Sequence, residues 1–166
     1  MLSSMARAAA LQAKATVDVR RDPVAFTRAL GADIGERSRL FGISKTTFGS
    51  EPYLITLDDH VTVAADVQFV THDGGVWVLR DEHPDLNVFG RIVVGDDVFI
   101  GVGSLIMPGV IIGDNVVIGA HSVVTWDTPS DSVAVSSPAN VVTSLDEYRR
   151  RSLEKGLHTK GLDPEE

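Results

Sequence analysis

An aliphatic residue returns at every sixth position through the second half of this chain, at Val94, Ile100, Ile106, Ile112, Ile118 and Val124. Glycine follows it at Gly95, Gly101, Gly113 and Gly119, and four places after it stands a small or β-branched residue: Val98, Ser104, Val110, Val116, Ser122 and Thr128. Helices repeat near 3.6 residues and strands alternate near 2.0, so a period of six belongs to neither. A chain that makes a short strand, bends and repeats does satisfy it. The aliphatic column then lies inside a prism and the small column fills its corners. Asp96-Asp97, Pro108-Gly109 and Asp114-Asn115 fall at the bends and are turn formers, while glycine tolerates a tight backbone there. The pattern predicts an all-β solenoid. The same frame reappears upstream at Leu57, Val63 and Phe69, with Val61 and Val67 in the small column, and again at Ile34 and Leu40.

Both ends depart from the repeat. Asp22-Pro23 is a helix start, with aspartate as cap and proline in the first turn, and Gly31 stops that segment. Ser144 and Glu147 form a capping box ahead of a second helix that ends at Gly156. The segment from Met1 to Val17 carries Arg7 and Lys14 and no acid, a composition shared by transit peptides and by alanine-rich amphipathic helices; the helix is the expectation. The tail from Leu157 to Glu166 has no periodicity. The division is therefore a helical cap over 1–31, a solenoid over 32–142 with an excursion loop at about 72–91, and a helix with a tail over 143–166.

Composition narrows the chemistry. The 166 residues, 43% hydrophobic, suit one domain with its own core. Fifteen basic against 23 acidic residues leave a net charge of -8, which repels a phosphate backbone, so nucleic acid is not an expected partner. The chain has no cysteine, which removes disulfides, thiolate metal sites and acyl-cysteine chemistry. No apolar run reaches the roughly 18 residues that span a bilayer, and a cytoplasmic location is expected.

The run GDDVFIGVGSLIMPGVIIGDNVVIGAHSVVTWD resembles the hexapeptide-repeat acyltransferases. The resemblance covers roughly residues 32–142. It implies a left-handed parallel β-helix with three strands per coil, a hand opposite to the usual crossover rule. It also implies a homotrimer, which would cover flat solenoid faces. Between Phe69 and Val94 the frame is broken by THDGGVWVLRDEHPDLNVFGR, and insertions in repeat folds collect on a binding face. The Thr-His-Asp-Gly-Gly form resembles enzymes of capsule and lipopolysaccharide synthesis, where a histidine at the root of such a loop deprotonates a sugar acceptor. His72 holds that position.

The chemistry independently asks for such a group. A sugar hydroxyl attacks a thioester only as its proton leaves, and an imidazole with a pKa of about 6.5 accepts it near neutral pH. Direct transfer from acetyl-CoA follows, with the oxyanion met by backbone N–H groups at a glycine bend. Taken alone, a histidine is more often a surface or structural residue, and His60, His83, His121 and His158 are present too. Asp73 is the candidate to orient the ring, although neighbours on an extended segment point to opposite faces. Trp77, Arg80, Asp81, Glu82 and Asn87 are candidate sugar contacts, although charged loop residues are commonly just solvated and Trp77 and Phe89 could equally pack the loop down.

The resemblance carries the donor site onto the last coils. Val102 and Ala120 match positions whose backbone binds the pantetheine arm, and Thr125 matches one beside the adenine. Trp126 and Asn140 stand where the pattern commonly has cations. Stacking by Trp126, and charge from Arg149, Arg150, Arg151 or Lys155, are the expected substitutes. Two other classes share the fold. One is a γ-type carbonic anhydrase with three histidines on zinc. With coils of three repeats each, as in the family, His121 stacks over Gly103 and His72 over Leu54, so no two histidines sit on adjoining coils, and His83 on the excursion is left open. The other is a catalytically inactive scaffold, motivated by the missing cations. No metal is expected.

Overall fold

The computed structural model describes residues 18–44 and 46–157. The helix expected ahead of Asp18, His158 and the rest of the tail lie outside the described residues.

Helix α1 (Pro23–Leu30) begins at Asp22, whose carboxylate accepts the Ala25 N–H at 2.8 Å, and ends at a left-handed Gly31. Short strands follow. They are β1 (Asp33–Ile34), β2 (Arg39–Leu40), β3 (Ile55–Leu57), β4 (Thr62–Val63), β5 (Gln68–Phe69), β6 (Ile92–Val94), β7 (Phe99–Ile100), β8 (Leu105–Ile106), β9 (Ile111–Ile112), β10 (Val117–Ile118), β11 (Val123–Val124), β12 (Ser132–Val135) and β13 (Asn140–Ser144). Helix α2 (Leu145–Lys155) closes the series.

The strands form three sheets, in the orders β1-β3-β6-β9, β13-β12-β10-β7-β4-β2 and β11-β8-β5. All pairings are parallel except β12 with β13. Each strand therefore returns to its own sheet after visiting the other two, as a six-residue repeat taken three at a time requires.

The register measures each coil. Val93 pairs with Ile111, Phe99 with Val117 and Leu105 with Val123, so each partner lies three repeats further along. Arg39 pairs with Thr62, an advance of 23, so this coil carries a short insertion ahead of β3. Thr62 pairs with Phe99 and Gln68 with Leu105, an advance of 37, so a much longer excursion leaves between β5 and β6. Both insertions depart from the same corner of the solenoid, and there they meet.

The aliphatic column is buried along its whole length, from Ile34 and Leu40 through Ile106 to Val124. In the corners Ser104 and Ser122 are also buried, and both hydroxyls donate to the Gly119 carbonyl, at 3.0 and 2.7 Å. Paired hydroxyls thus occupy a core that would penalise unpaired ones.

The glycines after the aliphatic column have a different reason from the one the sequence suggests. Left-handed backbone at the bends falls mainly to polar residues, among them His60, Asp97, Asn115, His121 and Asp131. Gly101 is required by proximity: a Cβ there would lie 2.6 Å from the Ala120 nitrogen on the next coil. One corner is further tied by a side-chain ladder. Asp59, Asp96 and Asp114 accept the N–H groups of Glu36, Asp59 and Asp96, at 2.8, 2.8 and 2.9 Å.

The ends of the solenoid are covered. Arg28 on α1 donates to the Ile34 and Gly35 carbonyls at one end. At the other, β13 folds back on β12, and Ser144 caps α2 by accepting the Glu147 N–H. Gly156 ends α2 in extended backbone. Among the described residues no helix is long and apolar enough to cross a membrane.

Candidate active site

The long excursion leaves the solenoid through a narrow antiparallel neck. Thr71, His72 and Asp73 face Val88, Phe89 and Gly90: the Gly90 N–H donates to Thr71, the Asp73 N–H donates to Val88, and His72 bridges Phe89. Gly90 is needed where the loop rejoins, because a Cβ would lie 2.2 Å from the Gly109 nitrogen. Beyond the neck, residues Gly74–Leu79 form a 3₁₀ helix.

The short insertion lies beside this neck. Phe48 is buried and stacks on Phe69, with ring centroids 5.2 Å apart, and the Thr47 carbonyl accepts the Phe69 N–H. That anchorage brings Glu51 to the root of the excursion. Glu51 Oε2 lies 2.9 Å from His72 Nδ1 and accepts the buried Thr71 hydroxyl at 2.8 Å.

His72 therefore sits over Glu51, not over Leu54, because uniform coils of three repeats ignore the insertion. Its carboxylate partner is likewise not Asp73. That side chain accepts the Gly75 N–H at 2.8 Å and caps the 3₁₀ helix instead. The missed residue left one trace in the sequence: the interval from Leu40 to Leu57 is not a multiple of six.

When Nδ1 donates to the Glu51 carboxylate, the lone pair of the imidazole is left on Nε2. The Glu51 side chain is only 16% exposed, while His72 is 45% exposed and packs edge-on to Phe89. A ring with one nitrogen held by a sheltered carboxylate has the geometry to accept a proton at the other. The cavity in front of it holds about 380 Å³, and Asp73, Trp77, Arg80, Asn87 and Phe89 line it together with His72 and Glu51. All five of these loop residues converge there.

The donor-site positions lie elsewhere, on the last coils, and line no part of this cavity. Trp126 is 76% exposed, and Val102 is exposed too. The Ala120 nitrogen faces Gly101. The Thr125 hydroxyl is buried, with no hydrogen-bond partner among the described residues. Asn140 turns its amide onto the Pro138 carbonyl at 2.9 Å. The arginines expected to supply charge are engaged on α2 itself, Arg149 with Asp146, Arg150 with Glu147 and Glu154, and Arg151 with Glu147. Hydrogen bonds from Arg150 and then Arg151 hold the Glu147 carboxyl down at about 2.

Two other histidines have structural settings. His60 meets Asp97 at 2.5 Å, and the His121 ring occupies the space over Gly103. Among the described residues no three His, Asp or Glu side chains are grouped so as to hold a metal ion.

Residues 91–125 match the family model of the bacterial transferase hexapeptide, six repeats. Protein CapG of Staphylococcus aureus is 46% identical over 136 residues, covering 82% of this chain and 79% of that protein. The chain belongs to the hexapeptide-repeat acyltransferase family. Galactoside O-acetyltransferase of Escherichia coli is 35% identical over 58% of this chain and 47% of its own length. A solved relative, the hexapeptide-repeat acetyltransferase of Vibrio cholerae in complex with acetyl coenzyme A, aligns with 86% of this chain and 86% of its own at a TM-score of 0.58 and 26% identity. The repeat, the parallel sheets and these relatives agree on one architecture, and within this family the chain is an enzyme of acyl transfer.

Proposed function

We propose that this enzyme moves an acetyl group from acetyl-CoA onto a hydroxyl or amino group of a sugar or nucleotide sugar, in the making of a polysaccharide. The solenoid is read as left-handed and the working form as a cytoplasmic homotrimer. The observation that carries the reading is the His72–Glu51 pair at the mouth of a loop-walled cavity.

The acceptor lies in the cavity with its O–H toward His72 Nε2. As the oxygen forms its bond to the thioester carbonyl carbon, Nε2 takes the proton and the imidazolium charge is met by Glu51. The tetrahedral oxyanion is held by backbone N–H groups at a bend. Its collapse breaks the C–S bond, and the departing thiolate recovers the proton from His72. Thr71 fixes Glu51 so that the ring does not swing.

Acetyl-CoA is the second substrate, and the residues of the last coils fit it in part. Val102 and Ala120 would run beside the pantetheine arm. Thr125 and the exposed Trp126 ring would lie beside the adenine end, and Asn140 near the phosphates. Without a free cation at these positions the donor would be held mainly by stacking and backbone contacts, so a modest affinity follows.

The test is to incubate the protein with acetyl-CoA and a panel of neutral, amino and nucleotide sugars and to read acetyl addition by mass spectrometry. A product with at least one acceptor supports the reading. No product with any acceptor overturns it. An amine that is already neutral needs its base less, so a His72→Ala variant that keeps turnover at high pH identifies an amino acceptor, and one that loses it identifies a hydroxyl.

A further inference from the structure

We propose that the acceptor carries an anionic group, a carboxylate or a phosphate, which binds Arg80; this rests on the cavity being the acceptor site. The 3₁₀ helix Gly74–Leu79 continues into Arg80, whose N–H donates to the Trp77 carbonyl at 3.1 Å. Residues three apart in such a helix lie over one another, so Trp77 and Arg80 form one wall of the cavity. Trp77 is 71% exposed and offers a flat apolar surface, which suits the face of a sugar ring.

Arg80 is held in place without being neutralised. Its Nη2 donates to Asn87 Oδ1 at 3.1 Å, and Asn87 in turn donates to the Asp85 carbonyl at 3.1 Å. The clamp is an uncharged amide. Asp81, Glu82 and Asp85 flank Arg80 in sequence, yet among the described residues Arg80 makes no ion pair; Arg20, Arg21, Arg37, Arg39 and Arg91 make none either, but of these Arg80 is the one that lines the cavity.

Both carboxylates that line the cavity have partners of their own through one oxygen each, Glu51 Oε2 and Asp73 Oδ1, and neither pairs with Arg80. Glu51 receives Thr71 and His72, and Asp73 receives Gly75. The guanidinium has five N–H donors in a planar fork that matches two oxygens on one centre, and one direction is used by Asn87. On a chain of net charge -8, an anion would be drawn to this cavity by Arg80 against the general field. A uronate carboxylate and the diphosphate of a nucleotide sugar share that chemistry.

The test is equilibrium binding by calorimetry, at low salt and without acetyl transfer, of methyl glucoside, methyl glucuronide and UDP-glucose. The wild-type protein should bind at least one charged ligand about tenfold to a hundredfold more tightly than the neutral glycoside. Arg80→Gln should collapse that ratio toward one, and Arg80→Lys should restore part of it. The stronger of the two charged ligands identifies the source of the anion. Equal binding of charged and neutral ligands by the wild-type protein, no binding of either charged ligand at millimolar concentration, or a ratio unchanged in Arg80→Gln overturns the proposal. Because turnover is not read, acetyl transfer can stand while this fails, and the reverse.

Discussion

Glu51 and His72 are 21 residues apart in sequence and 2.9 Å apart at Oε2 and Nδ1, joined because two insertions of different length leave one corner of the solenoid. A carboxylate in that position sets both the tautomer and the angle of the ring. Glu51→Gln keeps the size and removes the charge. The expected outcome is a kcat lower by roughly 10- to 100-fold with KM for acetyl-CoA within about twofold, since the positions proposed for the donor lie outside this cavity. Steady-state kinetics check this, and a loss confined to KM would remove Glu51 from the role.

Phe48 holds the Glu51 segment down. It is buried and stacked on Phe69, which belongs to the buried aliphatic column. Phe48→Ala should cost about 3–5 kcal/mol of stability through the cavity it leaves. Phe48→Leu should cost much less and still lower kcat, because the insertion loses its stacked anchor. Denaturant unfolding alongside activity measures both. Full activity in a Phe48→Leu protein of lowered stability would show that the anchor does not position Glu51.

The repeat made the fold legible because a period of six has few physical solutions, and each coil repeats the same small test. Val94, Ile100 and Ile106 are buried where the frame puts them, and the upstream frame at Leu57, Val63 and Phe69 is buried as well. The site was legible in part. His72, Trp77, Arg80 and Asn87 lie on one continuous loop, so naming the loop gathers them. Glu51 comes from a different insertion, and its approach depends on two unequal coil lengths that only the strand register reveals. Asp73 was the nearest carboxylate in sequence, but its side chain satisfies the start of a 3₁₀ helix, a local need that outweighs its adjacency to the ring. The α2 arginines, expected to supply charge for the donor phosphates, each meet an acidic residue three or four positions away on their own helix.

The aspartate corner carries an electrostatic cost. Partial burial, and then Asp96, Asp114, Asp33 and Asp59, raise the Asp58 carboxyl above its ordinary value. The folded protein therefore keeps this proton to higher pH than the unfolded chain, and stability falls as pH rises through that window. Above it Asp58 is destabilising. Asp58→Asn should raise Tm at pH 7 by about 1–2 °C, and the gain should disappear below a pH of about 3.9, where the carboxyl is protonated in both states. Thermal unfolding at pH 7 and pH 3 decides; an equal difference at both values would mean the cause is not titration.

Whether His72 removes the proton of the acceptor is tested most directly by the kcat of His72→Asn. Asparagine retains a polar side chain of smaller size but accepts no proton near neutral pH. With a hydroxyl acceptor found by the panel, kcat should fall by roughly a hundred- to ten-thousand-fold while both KM values stay within a few-fold. A kcat within about threefold of the wild-type value would contradict the assignment of His72 as the base.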